Sequence, residues 1–196
     1  MLTRRKFIKS GAMSGLMLAA LGSTAYAATR RSIPLYKVLV DQRYPSATDF
    51  SVEAMSLGAA TTVLHGDVTD IWFRDLCPQW KTRPVAIAGM TSGVALYCLT
   101  ELARDAGLRA VYVAEHVSEA GVLMRHAAVG PDEMVARAGN LALAGRRWSS
   151  AAARIVMESP RGKLSAVSSE RLVKLFREGE HSRALTSWVI APVARR

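Results

Sequence analysis

Cysteine is scarce. The 196 residues hold two, Cys77 and Cys98, which excludes a Cys-x-x-Cys pair, a Cys-x-x-Cys-His haem attachment site and a cysteine-ligated iron–sulfur cluster. No G-x-G-x-x-G follows a predicted strand and no Walker loop occurs, so the common nucleotide fingerprints are missing as well. Aromatic residues make up 7% of the chain and do not interleave with its basic residues, which argues against a nucleic-acid partner. The composition therefore identifies no cofactor.

The N-terminus carries the most specific pattern. Thr3-Arg4-Arg5-Lys6-Phe7-Ile8-Lys9 is followed by a weakly apolar stretch from Gly11 to Leu21 and then by Ala25-Tyr26-Ala27. That stretch has about half the roughly 20 residues a membrane-spanning helix needs. The small-x-small triplet suits cleavage after Ala27. The three regions resemble the twin-arginine signal peptide of exported bacterial proteins, with Arg4, Arg5 and Phe7 in the recognition motif, Ile8 in place of leucine, and Ala25 and Ala27 at the cleavage site. The resemblance covers residues 1–27 alone. It implies export of a folded protein to the periplasm, the twin-arginine translocase as a transient partner, and membrane attachment only if the signal stays uncleaved. Proteins on that route commonly carry a cofactor or travel with a partner, which brings a redox-enzyme subunit into consideration.

Cleavage leaves residues 28–196, a length suited to one domain with its own core. The net charge falls from +10 to +6, because Arg4, Arg5, Lys6 and Lys9 leave without an acid. The remaining bases are scattered, and such a surplus usually serves solubility.

Along that domain the pattern alternates. Tyr36 to Val40 reads as a strand ending at Asp41, and a helix then opens near Pro45. Thr61 to Leu64 reads as a second strand, ending at His65-Gly66-Asp67. A helix starts at Thr69 and stops before Pro78. Pro84 to Ala88 forms a third strand leading into a Gly89-Met90-Thr91-Ser92-Gly93 turn. The next helix buries Val94, Cys98 and Leu102, with Ala95, Leu99 and Ala106 beside them. Arg109 to Val113 is a fourth strand, ending at Glu115-His116. Four strands alternating with three helices predict an α/β fold, a small Rossmann-like or flavodoxin-like three-layer sandwich with a mainly parallel sheet. Residues 116–130 read as an irregular excursion containing His126. Helices are expected near Trp148–Met157 and after Ser168, and Leu185–Ile190 reads as a closing strand.

In such sheets ligands bind beyond the carboxyl ends of the strands. The residues expected there are Asp41, His65, Asp67, Gly89, Thr91, Ser92, Gly93, Glu115 and His116. The Gly89–Gly93 turn offers backbone N–H groups to an anion. Ser92 with His65 or His116, and Asp67 or Glu115, has the parts of a hydrolytic triad but lacks G-x-S-x-G flanks. His65 and His116 with an acid also have metal-ligand chemistry. Against these stands capping: Asp41, Asp67 and Ser92 are the residue types that helix N-termini require. Cys77 and Cys98 are either bridged or free. The resulting expectation is a cofactor-free accessory or binding subunit, with a periplasmic enzyme or small-ligand sensor as the alternative.

Overall fold

The computed structural model describes residues 35–119, 123–158, 165–177 and 184–193. The proposed signal, including Arg4, Arg5, Phe7, Ala25 and Ala27, lies outside them. The element order is β1 (Leu35–Asp41), α1 (Pro45–Ser56), β2 (Thr61–Leu64), α2 (Thr69–Ile71), a π-helical turn (Trp72–Leu76), α3 (Cys77–Thr82), β3 (Ala86–Ser92) and α4 (Gly93–Arg104). Then come β4 (Leu108–Glu119), β5 (Leu123–Val129), α5 (Asp132–Gly139), a 3-10 segment (Leu141–Arg147), α6 (Trp148–Met157), α7 (Ser169–Arg177) and β6 (Leu185–Pro192).

The protein is a mixed α/β fold on a single six-stranded sheet, ordered β2-β1-β3-β6-β4-β5. β1 pairs in parallel with β2 and β3, while β6 runs antiparallel to both β3 and β4, and β5 antiparallel to β4. The expected mainly parallel sheet is therefore corrected to a mixed one. The cause is the second half of the chain: the last strand inserts between β3 and β4, and residues 113–119 pair antiparallel with 123–129 instead of leading into an irregular excursion. The first four strands still share one direction, because β4 is antiparallel to an antiparallel strand.

Period-two alternation divides the core between the two faces. Val38, Val40, Met90, Tyr112, Ala114 and Val189 pack with Phe50 of α1 and with Ala152 and Val156 of α6. Leu39, Ile87, Val113, Trp188 and Ile190 pack with Trp80 of α3, Leu96 and Leu99 of α4 and Leu175 of α7. On α4 the buried residues are Ala95, Leu96, Leu99 and Ala103, while Val94 is exposed. The apolar stripe thus sits rotated from the expected Val94–Cys98–Leu102 line.

Pro78 does not end its helix. It occupies the first turn of α3, where its missing N–H costs nothing. The π-helical turn ahead of it changes the hydrogen-bond register so that the chain continues. The side chains of Tyr36 and Lys37 on β1 both bond to Asp75 and pin that turn to the sheet. Gly89 is demanded by packing: a Cβ there would lie 2.3 Å from the Leu39 carbonyl oxygen and 2.6 Å from Trp188 Cζ2.

Candidate functional site

The strand register sets what the predicted crevice can be. Thr91 lies opposite Thr186, which lies opposite Glu115; Ser92 lies opposite Leu185, which lies opposite His116. Neighbours in sequence point to opposite faces of a strand. Thr91 and Glu115 therefore face the α4 side, while Ser92 and His116 face the α6 side. The expected convergence of these residues at one edge is split in two by the sheet itself.

On the α4 side Thr91, Thr186 and Trp188 are fully buried and bond to one another or to backbone. Trp188 Nε1 donates to Thr91 Oγ1 at 3.0 Å, Thr91 Oγ1 donates to the Ser92 carbonyl, and Thr186 Oγ1 donates to the Thr91 carbonyl at 2.9 Å. Glu115 is buried on this face. At the end of β1, buried Asp41 takes a two-pronged hydrogen bond from Arg43, at 2.9 and 2.7 Å, and also accepts the Arg43 backbone N–H. Asp41 is thus an ion-pair partner rather than the cap of α1. The Arg43 guanidinium lies against Gly66, where a Cβ would come within 2.2 Å of Cζ. Arg43 thereby fills the crevice between β1 and the end of β2.

Ser92 is a cap, and Asp67 closes a local turn one residue ahead of the α2 N-cap position, which Val68 holds. Asp67 accepts from the Thr69 backbone N–H at 2.8 Å and from its hydroxyl at 2.6 Å, and these bonds hold its carboxyl below the usual range. Ser92 Oγ accepts the Ala95 N–H at 3.3 Å as the N-cap of α4. Gly89 to Ser92 belong to β3 and Gly93 opens α4, so the expected glycine turn is continuous strand. The backbone N–H groups expected of that turn are left only at the α4 N-terminus, which Ser92 caps.

His65 is exposed just beyond β2. Four strand spacings separate β2 from β4, about 19 Å at the usual 4.8 Å each. His65 and His116 therefore cannot share a metal ion, and the triad built on His65 and Ser92 is lost with them. Cys77 and Cys98 are free thiols.

On the α6 side the sequence reading missed a cluster. His116 and His126 face each other across the β4–β5 pair in direct register, with Nδ1 to Nδ1 at 2.8 Å. His116 Nε2 sits 2.9 Å from Ser187 Oγ on β6. The Trp148 ring covers both imidazoles, with centroids 4.7 Å from His116 and 5.1 Å from His126. The Tyr112 hydroxyl lies beside Ser187, and burial raises its pKa. Burial also lowers His126 to about 4, and burial with repulsion from His126 holds His116 well below the ordinary histidine value. Both rings are therefore neutral at neutral pH.

A neutral imidazole has one N–H and one lone pair. A single hydrogen must therefore lie between the two Nδ1 atoms, and the chain runs either from Ser187 through His116 to His126 or the reverse. Hydroxyl, base and orienter stand in the order of a catalytic triad, but Ser187 is 0% exposed, so no substrate reaches it. The only signals for this cluster were His126, Ser187 and the period-two pattern of Leu123–Val129.

One concave surface, of about 340 Å³, lies at the end of β2 and is lined by Thr62, Val63, His65, Asp67, Asp70 and Arg74. A groove of about 240 Å³ runs between α4 and α7, lined by Leu96, Tyr97, Val113, Val167, Leu172 and Val173, with Glu101, Arg104 and Arg109 at its rim. Among the described residues no group of three or more His, Cys, Asp or Glu is placed to hold a metal, and no helix is long and apolar enough to cross a membrane. No family model matches the chain, and no curated protein or solved structure matches it.

Proposed function

We propose that this chain is an exported accessory protein that binds another polypeptide through the α4–α7 groove, in the periplasm and after crossing the membrane folded. The observation that carries the reading is the groove, where Tyr97 is 66% and Val173 48% exposed. At about 240 Å³ it is smaller than the roughly 300–1,000 Å³ of small-molecule sites. It suits two or three apolar side chains.

The groove's surroundings favour an acidic partner. Arg109 lines it beside the Arg104–Glu101 ion pair, which leaves one surplus cation there, on a domain left at +6 after cleavage. The occupant we assign is an apolar segment of a second exported protein, flanked by acidic residues and in keeping with a redox-enzyme subunit. Export itself rests on the Arg4-Arg5 pattern. The β1–α1–β2 and β2-to-β3 crossovers support a Rossmann-like ancestry for the first half.

A photo-crosslinking residue at position 97 or 173 tests the groove, with position 52 as control, since Val52 is exposed on α1 across the sheet. We expect one adduct protein from positions 97 and 173, joined through an acidic–apolar stretch, and none from position 52. Equal labelling at all three, or none, would refute the reading.

A further inference from the structure

We propose that His116 and His126 form a two-coordinate site for a monovalent soft metal ion, Cu(I), under the Trp148 ring. The argument begins with the tautomers. If His116 Nε2–H donates to Ser187 Oγ at 2.9 Å, the His116 Nδ1 lone pair faces His126 Nδ1 at 2.8 Å. A ligating histidine is typically oriented in this way, its far N–H held by an oxygen. His126 Nε2 is buried and has no hydrogen-bond partner among the described residues. Turning its Nδ1 lone pair inward places the ring's one N–H on Nε2, so the bond to the ion must offset that unpaired donor. The hydrogen now shared between the rings occupies the place of an ion.

Stoichiometry and charge select the ion. Two neutral nitrogens are too few for zinc, which takes four ligands in structural sites. A buried dication without carboxylates would be poorly compensated. Among the described residues the groups about the pair are the neutral Tyr112 and Ser187 and the Trp148 ring, with the Arg137 guanidinium acting on Tyr112 from α5. Glu115 alternates to the other face. A monocation, by contrast, gains from the indole π-face. With metal–nitrogen bonds of about 2 Å, a linear arrangement spans about 4 Å, so the rings must part by about 1 Å. His126 lies on β5 at the sheet edge and is only partly buried, which gives it room to move and gives the ion a way in. This site is independent of the groove.

The test is anaerobic titration of the full chain, carrying Cys77→Ser and Cys98→Ser to remove competing thiols, with Cu(I) held by a chromophoric chelator. The proposal predicts one equivalent withdrawn with a Kd of about 1 µM or tighter. His126→Gln, which keeps the size and polarity, should weaken binding about 100-fold, and Ser187→Ala about 10-fold, the scale for losing a ligand's hydrogen-bond partner. X-ray absorption should show two nitrogen neighbours, and Ag(I) should compete. An unchanged near-ultraviolet circular dichroism spectrum at neutral pH separates ligand loss from unfolding. The proposal is overturned if the chelator keeps its Cu(I), if His126→Gln binds as tightly as its parent, or if Zn(II) binds at His126 and Cu(I) does not.

Discussion

Two polar clusters lie side by side at the same end of the sheet, one on each face, and they are built in opposite ways. On the α4 side every donor meets a fixed acceptor: indole to threonine, threonine to carbonyl, guanidinium to carboxylate. On the α6 side two imidazoles share one hydrogen, and one ring nitrogen is buried without a partner among the described residues. A closed network of the first kind rigidifies a core, whereas an open one leaves a place for a proton or an ion. The comparison shows that residues adjacent in sequence, such as Glu115 and His116, belong to separate sites when the strand sends them to opposite faces.

The largest effect expected from breaking this arrangement is at Gly89, where the two clusters' strands pack closest. Gly89→Ala should lower stability by about 3 kcal/mol or more, because the new methyl meets the Leu39 backbone carbonyl as well as the buried Trp188 ring. Urea unfolding midpoints measure it. Trp188→Phe comes next on the α4 side. It removes the indole N–H that Thr91 Oγ1 accepts and thins the packing over Gly89, for a loss of about 2 kcal/mol. Ser187→Ala is its counterpart on the α6 side and should cost about 1 kcal/mol, since His116 can reverse its shared hydrogen. Equal losses would mean the two networks are equally rigid.

Acid should separate the two faces. The folded-state pKa values of His116 and His126 lie below the ordinary histidine value. Between about pH 6.5 and about 4 the unfolded chain therefore binds more protons than the folded one, and stability falls as pH falls through that window. It is fully present above the ordinary histidine value. Thermal melts should show this slope, and His126→Gln should flatten it, while Trp188→Phe should leave it intact. The smallest effect expected is at Tyr97→Glu: within about 0.5 kcal/mol of the parent in stability, because the residue is exposed, but with loss of the partner complex.

Much of the fold was legible because the first half obeys local rules. β-branched and apolar runs ended at polar residues, and helices filled the intervals between them. The capping role of Ser92 was written in its residue type, whereas Asp67 closes a turn one residue before the α2 N-cap position. What escaped notice depends on long-range pairing. No property of Leu185–Ile190 reveals that it slots between β3 and β4, and that insertion alone turns a parallel sheet into a mixed one. The pairing of β5 with β4 was hidden by Arg125 and His126, whose polarity reads as loop until a facing histidine and Trp148 complete the cluster. Pro78 misled because a proline at the first turn of a helix and one that stops a helix look alike in sequence.

The most direct test of the accessory reading is native mass spectrometry of the chain exported by its own signal and purified gently from the periplasm, beside the Tyr97→Glu variant. The account predicts a chain cleaved after Ala27, in a stoichiometric complex with a second polypeptide that the variant no longer holds. A cleaved chain that runs alone, or a complex indifferent to the substitution at Tyr97, would contradict it.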